Sequence, residues 1–286
     1  MSRIVYCNGA YLPETEATIS VFDRGFLFAD AVYEVVSVLG GKLVDFSGHM
    51  ARLRRSLSEL DLPSPGSDDE LLAIHRELVQ RNGLDEGLVY LQSTRGAADR
   101  DFLFPPKETP AGLVLFTQAK ALRQTEAAER GLSVITVPDL RWARRDIKTV
   151  QLLYPSMAKM QAKAAGAQDA WMVGEDRLVT EGTSNNAHIV TADGALVTRA
   201  LSHSILHGIT RASVLRLASE MGLSIEERSF TPDEAKAASE AFITSASSFV
   251  TAIVSIDGVA IGKGTPGETA KRLREIYIAE AERTAI

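Results

Sequence analysis

Apolar and polar positions along the first third of the chain alternate between strand and helix periods. Ala31–Leu39 is rich in β-branched residues and predicts a strand, which Gly40-Gly41 turns into a second strand at Lys42–Phe46. Ser47 then precedes a run in which apolar residues recur at helical spacing. The pattern predicts a hairpin followed by a helix that Ser47 caps and that stops before Pro63.

Local turn and cap signals predict the other elements of this region. Arg3–Cys7 is apolar enough for a strand, and Asn8-Gly9 after it is a strong hairpin turn signal. Ser67 and Glu70 have the spacing of a capping box, which predicts the start of a second helix ending near Gly83. Two further strands are predicted at Leu88–Thr94 and Gly112–Thr117.

The polar, Ala-rich stretch Gln118–Arg130 breaks this pattern and predicts a domain boundary. We therefore expect a small N-terminal α/β domain at residues 1–118 and a larger domain at residues 119–286. Beyond the boundary the strands outnumber the helices, which favours a barrel-like sheet and an α/β chain of the α+β type. The predicted strands are Leu132–Val137, Ala170–Val173, Ala187–Val190 and Ala195–Thr198, and the predicted helices are Pro155–Ala165, His207–Met221, Pro232–Ser239 and Pro266–Glu282.

Composition and charge exclude several classes of protein. The 286 residues include 31 Lys and Arg against 37 Asp and Glu, a formal charge of −6 that is not typical of a nucleic-acid binder. Cys7 is the single cysteine, which excludes a disulfide within the chain and fits a reducing cytoplasm. No apolar run is long enough for a membrane span. We expect a cytoplasmic protein that binds neither nucleic acid nor membrane.

One lysine lies in a setting suited to nucleophilic chemistry. Lys148 has apolar neighbours, and Arg144 and Arg145 are close in sequence. Burial and neighbouring cations both favour a neutral amine, which a Schiff-base lysine needs. Considered alone, the segment favours the interpretation of Lys148 as a strand-end lysine paired with Asp146.

Two polar segments complete a candidate site. Glu181–Asn186 places an acid, a glycine and four hydrogen-bonding side chains in a row, although a surface turn would have the same composition. Leu206–Arg211 opens a predicted helix, where free backbone N–H groups and the Thr210 hydroxyl can bind a phosphate. A nucleophilic lysine, an acid and a phosphate cradle together indicate a pyridoxal phosphate enzyme.

Nucleotide and metal sites are not indicated by the sequence. Neither a dinucleotide-binding nor a Walker-type glycine motif is present. His203 and His207 are four residues apart, but no carboxylate ligand is near them in sequence. We expect no metal.

Six motifs in order along the chain resemble the fold type IV aminotransferases, the branched-chain and D-amino-acid aminotransferase family, and most of all its D-amino-acid members. The motifs are Phe22–Glu34, His49–Leu53, the Lys148 segment, the Glu181 segment, Gly208–Arg211 and Ser245–Ser248. The resemblance covers almost the whole chain. It implies a C-terminal pseudo-barrel domain and pyridoxal 5′-phosphate held between the two domains.

The resemblance implies roles for individual residues. Lys148 binds the cofactor as a Schiff base and moves the substrate proton, and Glu181 keeps the pyridine nitrogen protonated. Other residues are implied to contact the cofactor: Arg52, Ile209, Thr210 and Ser247 at the phosphate, Leu206 on the ring, and Ser184 and Asn186 in the wall of the site. Without the resemblance, Arg52 would be interpreted as a solvated charge and Ser247 as a turn hydroxyl.

The substrate side follows the family pattern with one departure. In D-amino-acid aminotransferases a tyrosine, an arginine and a histidine bind the substrate carboxylate, and the last two come from the partner subunit. Tyr33 and Arg100 match the first two, whereas Phe102 stands at the histidine position. Ser247 is also expected to contact the substrate. The resemblance thus implies a homodimer in which the loop at residues 99–105 completes the neighbouring active site.

The implied activity is ping-pong transfer of the amino group of D-alanine to 2-oxoglutarate through pyridoxamine phosphate, giving pyruvate and D-glutamate. Its substrates are thus small amino acids and keto acids. The alternatives are an (R)-selective amine or branched-chain aminotransferase and a 4-amino-4-deoxychorismate lyase. A cofactor-binding protein without catalysis fits less well, because Lys148, Glu181 and Tyr33 are all present.

Overall fold

The computed structural model describes residues 2–286, which form two units. The first comprises the residues up to Ala121 together with Ile147–Gln151 and Ala281–Ile286. The second comprises Leu122–Asp146 and Leu152–Glu280. The short segment that carries Lys148 therefore belongs to the first unit, although it lies within the C-terminal part of the sequence.

The first unit contains a six-stranded sheet in the order β2-β1-β6-β5-β3-β4, with antiparallel pairing throughout. Its elements are β1 (Ile4–Cys7), β2 (Ala10–Pro13), α1 (Arg24–Phe28), β3 (Ala31–Leu39), β4 (Lys42–Leu43), α2 (Phe46–Glu59), α3 (Asp68–Arg81), β5 (Glu86–Thr94) and β6 (Gly112–Ala119). The strand predicted at Ala31–Leu39 is confirmed as β3, which pairs with β5 over its whole length.

Two predictions from local signals are confirmed. Asn8 and Gly9 join β1 to β2 with φ angles of 46° and 97°, the left-handed values that such a two-residue turn requires. At the start of α3, the Ser67 hydroxyl accepts from the Glu70 N–H, and the Glu70 carboxylate accepts from the Ser67 N–H at 2.7 Å. The capping box therefore forms as its spacing predicts.

The hairpin predicted at Gly40-Gly41 forms, but its second strand is shorter than the predicted Lys42–Phe46, and the Ser47 cap is wrong. Strand β4 ends at Leu43, and α2 begins at Phe46 with Asp45 as its N-cap residue. Asp45 has a φ of 51°, a left-handed conformation that turns the chain directly into the helix. Ser47 therefore lies inside the first turn of α2, where it cannot be the N-cap.

The segment Ile147–Gln151 runs beside β3. The Tyr33 N–H donates to the Lys148 carbonyl at 3.0 Å, and the Val150 N–H donates to the Ala31 carbonyl at 3.2 Å. Val32 and Thr149 form an antiparallel bridge between them. Hydrogen bonds to a central strand thus fix the backbone on either side of Lys148.

The second unit contains a nine-stranded sheet in the order β12-β11-β10-β13-β14-β7-β8-β9, with β15 beside β14. Most pairs are antiparallel, whereas β14 with β7, β7 with β8, and β11 with β12 are parallel. Its elements are α4 (Glu126–Arg130), β7 (Leu132–Pro138), α5 (Leu153–Ala164), β8 (Asp169–Val173), β9 (Val179–Gly182), β10 (Asn186–Val190), β11 (Leu196–Thr198), α6 (Ile209–Glu220), β12 (Ile225–Glu227), α7 (Pro232–Ala237), β13 (Glu240–Ser245), β14 (Phe249–Ile256), β15 (Val259–Ala260) and α8 (Glu268–Thr284).

The four strands and four helices predicted for this region are all present, within a few residues of the expected ends. Those predictions omit α4, β9, β12, β13, β14 and β15. Trp171 and Phe230 are among the largest fully buried side chains, and their rings meet edge to face at 6.0 Å. The mixed α/β fold class is confirmed, and none of the described helices has the length and apolar character needed to cross a bilayer.

Candidate active site

Lys148 lies over the ring of Tyr33 in the first unit. Its Nζ is 4.0 Å from the ring centroid, and its backbone N–H faces the Ser56 hydroxyl at 3.4 Å. The Tyr33 ring in turn stacks on Tyr90, with centroids 5.5 Å apart. The structure therefore brings together the lysine and the tyrosine that the sequence singled out, on a rigid aromatic support.

The charges expected beside Lys148 are compensated. Arg144 pairs with Asp146 at 3.1 Å, and Arg145 pairs with Asp139 at 3.2 Å, so neither arginine is a bare cation. Asp146, which the sequence offered as a partner for Lys148, is an acceptor for Arg144. The two arginines therefore supply no uncompensated charge, and the interpretation of Lys148 as the Schiff-base lysine rests on the sequence resemblance.

Arg52 is buried in an ion pair with Glu34. Its Nε and Nη2 donate to the two carboxylate oxygens of Glu34, each at 2.7 Å, and His49 Nδ1 lies 2.7 Å from the same carboxylate. Burial alone would raise the pKa of Glu34, but Arg52 and His49 outweigh it and lower that pKa to about 2. The interpretation of Arg52 as a solvated charge is therefore wrong.

Glu34→Gln is expected to destabilise the protein at neutral pH by about 3–5 kcal/mol, because it removes one partner of a buried ion pair. The pH dependence should change as well. The folded chain keeps Glu34 ionised down to a pKa of about 2, against 4.5 for the ordinary side chain. Stability from this pair is present above about pH 4.5 and is lost as the pH falls towards 2.

Urea unfolding at several pH values tests this expectation. The wild type should lose stability across that window, and Glu34→Gln should lose much less. Glu59→Gln is the matched control, since Glu59 pairs with Arg55 on the partly exposed face of the same helix at 3.7 Å. A wild type and a Glu34→Gln variant with parallel curves would show that the ion pair does not govern acid stability.

The loop at residues 99–105 exposes its apolar side chains. Phe102, Leu103 and Phe104 are 80%, 76% and 62% exposed, while Arg24 Nη1 donates to the carbonyl oxygens of Asp101 and Leu103 at 2.8 and 3.3 Å. Arg100 is also exposed, and its guanidinium lies 5.6 Å from the Phe102 ring. Arg24 thus holds the backbone in the middle of the loop, while the three apolar side chains remain largely exposed.

Glu181 lies in the second unit, on β9, with its carboxylate buried. It accepts from Arg141 Nη1 at 2.6 Å, from Asn186 Nδ2 at 2.9 Å and from the Leu206 N–H at 3.1 Å. Asn186 Nδ2 also donates to the Leu206 carbonyl at 2.9 Å. Three residues predicted for the cofactor site are therefore in contact, and Glu181 is part of a strand, which excludes a surface turn.

Arg141 and Asp139 support this carboxylate and were missed by the sequence analysis. Arg141 Nη2 donates to Asp139 at 2.7 Å, and the Thr180 hydroxyl donates to the same carboxylate at 2.7 Å. Burial raises the pKa of Glu181, an effect that the charge of Arg141 opposes. The only sequence signal was an Asp and an Arg directly after a predicted strand, which would not single them out.

The N-terminus of α6 is open to an anion. Gly208 is its N-cap residue and offers no side-chain acceptor, and the first turn carries no acidic residue. A Cβ at Gly208 would meet Asn186 Oδ1 at 2.0 Å, so only glycine fits here. Thr210 is buried and Ile209 half-buried in the first turn. Arg211 beside them is not solvated, since it donates to Glu227 at 2.6 Å.

The remaining predicted residues lie in turns. Ser247 is half-buried in the turn between β13 and β14, where the Ser245 hydroxyl lies 3.3 Å from that of Ser247 and 2.8 Å from that of Ser248. Ser184 is exposed in the bend after β9. The second unit therefore offers a buried carboxylate that can accept from a ring N–H. It also offers an uncapped helix N-terminus and a cluster of hydroxyls that can donate to a phosphate.

The family model for amino-transferase class IV matches residues 31–256. The chain belongs to the class IV aminotransferases. The prediction made from the sequence motifs is confirmed, and this aminotransferase is an enzyme of the pyridoxal phosphate-dependent, fold type IV kind.

Relatives and solved structures agree with this assignment. The aminotransferase is 39% identical to the D-alanine aminotransferase of Bacillus licheniformis, over 94% of each chain, and 35% identical to that of Staphylococcus aureus N315, over 95% of each. It superposes with a TM-score of 0.88 on the T.th. branched-chain amino acid aminotransferase with pyridoxamine 5′-phosphate, at 29% identity, covering 99% of this chain and 95% of that one. The branched-chain enzyme of Escherichia coli, at 21% identity, a TM-score of 0.88 and 98% and 95% coverage, supports the fold.

Proposed function

We propose that the aminotransferase acts on D-amino acids, exchanging the amino group of D-alanine with 2-oxoglutarate to give pyruvate and D-glutamate. The observation that carries this proposal is the near full-length similarity, at 35–39% identity, to enzymes named D-alanine aminotransferases. The pairing of Lys148 with Tyr33 supports it, because the family's D-amino-acid members have a tyrosine at that position.

The residues of the site fit pyridoxal 5′-phosphate. Glu181 is a buried carboxylate suited to a protonated ring nitrogen, and the open N-terminus of α6 with its Thr210 hydroxyl is suited to a phosphate. The close approach of Asn186 to Gly208 joins these two features into one wall. When bound, the cofactor supplies an electron-accepting ring that stabilises the charge left on a substrate carbon after its proton is removed.

Each residue then has a defined task. Lys148 would hold the cofactor and, with Nζ free, would carry the proton that leaves the substrate carbon. Glu181 would bind the ring nitrogen, with its own charge held by Arg141. Tyr33 binds the substrate carboxylate beside Lys148. The proposed cofactor contacts are Arg52, Ile209, Thr210 and Ser247 at the phosphate, Leu206 on the ring, and Ser184 and Asn186 in the wall, with Ser247 also near the substrate.

Product stoichiometry tests the proposed reaction. With D-alanine alone, the enzyme should release about one pyruvate per active site and stop, because the amino group stays on the enzyme until a keto acid collects it. Added 2-oxoglutarate should then yield D-glutamate. Failure of D-alanine to give any pyruvate would contradict the proposal.

Two other activities are separated by the same assay. L-leucine and (R)-1-phenylethylamine should transfer little of their amino groups; a preference for either would indicate a branched-chain or an (R)-selective amine aminotransferase. Phe102 favours the latter as the second candidate, since its ring offers no donor for a carboxylate. Continuous pyruvate release from 4-amino-4-deoxychorismate without a keto acid would indicate the lyase.

We also propose a cytoplasmic homodimer in which the loop at residues 99–105 completes the neighbouring site. Three exposed apolar side chains on a loop whose backbone Arg24 binds support such a contact. Activity should fall on dilution in step with dissociation measured by sedimentation. An active monomer would contradict the dimer and leave the proposed reaction intact.

Arg100→Ala is expected to lower kcat/KM for D-alanine and for 2-oxoglutarate roughly tenfold to a hundredfold, because a charge-assisted contact to a carboxylate contributes on the order of 1.5–3 kcal/mol. A primary amine without a carboxylate should lose little, so the preference shifts towards amines. Steady-state kinetics with D-alanine and (R)-1-phenylethylamine measure this shift.

The control for Arg100 is Lys107→Ala, which removes another exposed cation from the same segment. Arg24 and Arg144 are poor substitutes for Arg100, because each is already paired with a carboxylate, Asp30 at 2.8 Å and Asp146 at 3.1 Å. Equal kcat/KM values for D-alanine in wild type and Arg100→Ala would show that the substrate carboxylate binds elsewhere.

A further inference from the structure

Arg274 is a buried cation behind the turn that carries Ser247. It lies on α8 with 8% of its surface exposed. Within residues 2–286, its four hydrogen bonds all go to backbone carbonyls: Nη1 donates to Ser248 at 2.7 Å and to Val250 at 2.8 Å, and Nη2 donates to Leu122 and, at 3.2 Å, to Arg123. Burying a guanidinium without a carboxylate is costly, and the carbonyl bonds offset only part of that cost.

The same helix holds the end of the turn in an uncommon conformation. Phe249 follows Ser248 with a φ of 56°, a left-handed value that bulky residues seldom adopt. Its ring is fully buried and packs edge to face on Tyr277 of α8 at 5.2 Å, with the Arg274 guanidinium 5.8 Å from the ring centroid. Hairpin loops of three residues commonly end on such a residue, usually a glycine. Here packing against α8 maintains the conformation.

The turn itself is arranged for ligand binding. The hydroxyls of Ser247 and Ser248 lie 3.3 and 2.8 Å from the hydroxyl of Ser245. The Ser248 carbonyl accepts two hydrogen bonds, one from Arg274 and one from the Thr251 hydroxyl at 2.9 Å. Because Arg274 and Thr251 fix this turn, its hydroxyls and amides lose little further conformational entropy when a ligand binds.

We propose that Arg274 is a positioning residue for the phosphate of the cofactor, acting through the Ser248 and Val250 carbonyls that fix the Ser245–Phe249 turn. This inference rests on the proposed function, in which Ser247 contacts that phosphate. This role depends on the shape of the guanidinium, because its donors bind carbonyls on two separate segments at once. A lysine ammonium cannot bind both segments in this way.

The test compares pyridoxal 5′-phosphate with pyridoxal, which lacks the phosphate. The full chain is freed of cofactor, and the dissociation constants of both compounds are measured by absorbance titration for wild type, Arg274→Met and Arg274→Lys. In both variants the preference for the phosphorylated compound should fall roughly tenfold to a hundredfold, with pyridoxal binding nearly unchanged. A general loss of stability would weaken both compounds alike and leave this ratio unmoved.

Arg272→Met on the exposed side of α8 is the matched control and should keep the wild-type ratio. Arg274→Lys retains the charge and the aliphatic stem. It therefore tests the inference if Arg274→Met does not fold. A wild-type ratio in Arg274→Lys would overturn the inference and leave the proposed function standing. A wild type that binds both compounds equally would instead show that the proposed phosphate contacts are wrong.

Discussion

Lys148→Ala is expected to abolish amino-group transfer, by about 10⁴-fold or more, while the cofactor remains bound through its phosphate. The variant loses both the covalent link and the group that moves the proton, and proton transfer by a positioned side chain alone contributes about 10²–10⁴-fold. The hydrogen bonds that hold this segment beside β3 involve the backbone of Lys148 and Tyr33, so the fold should persist. Pyruvate formation from D-alanine measures the loss.

Lys159→Ala and Lys163→Ala are the controls, because both lysines are exposed on α5. Neither should change turnover appreciably. Borohydride reduction of the wild type followed by peptide mapping should place the cofactor label on Lys148. A label on Lys159 or Lys163 would refute the assignment of the nucleophile.

Glu181→Gln is expected to lower turnover about 10²–10³-fold with a much smaller effect on cofactor affinity. The amide cannot keep the ring nitrogen protonated, and removing one preorganised electrostatic partner costs about that much. The phosphate contacts are separate from this carboxylate. Arg141 keeps Asp139 as a partner at 2.7 Å, so the variant does not leave it without a carboxylate.

Single-turnover pyruvate release from D-alanine measures the effect of Glu181→Gln, and cofactor titration measures the affinity. Glu226→Gln is the control, since Glu226 pairs with Arg228 at 2.7 Å on the surface of the same unit. An unchanged single-turnover rate in Glu181→Gln would show that this carboxylate does not support the electron-accepting ring.

The sequence predicted features that depend on near neighbours. The Asn8-Gly9 turn and the Ser67 capping box are set by backbone preferences and hydrogen bonds within a few residues, and both form as expected. Where two local signals competed, the prediction failed: Ser47 had the residue type of a cap, but the left-handed Asp45 starts the helix. Side-chain preference alone does not determine where a helix begins.

The sequence also determined the family, because six motifs in the right order are specific even where each is weak. It could not determine how those motifs are supported. Lys148 belongs to the unit formed by the first 121 residues because its backbone bonds to β3, a pairing between segments more than 100 residues apart. No local pattern encodes such a contact.

The sequence by itself thus predicted most of the local elements and determined the fold class and the family, and it proposed Lys148 as the reactive lysine and Glu181 as the acid. Only the tertiary structure decided which groups the charged side chains contact. Arg52 meets Glu34, Arg141 joins Glu181 to Asp139, and Arg274 reaches carbonyls about 150 residues away in the chain, Leu122 among them. Whether a charged side chain is solvated, paired or buried depends on what the fold places against it, and distant segments meet only when the sheets form.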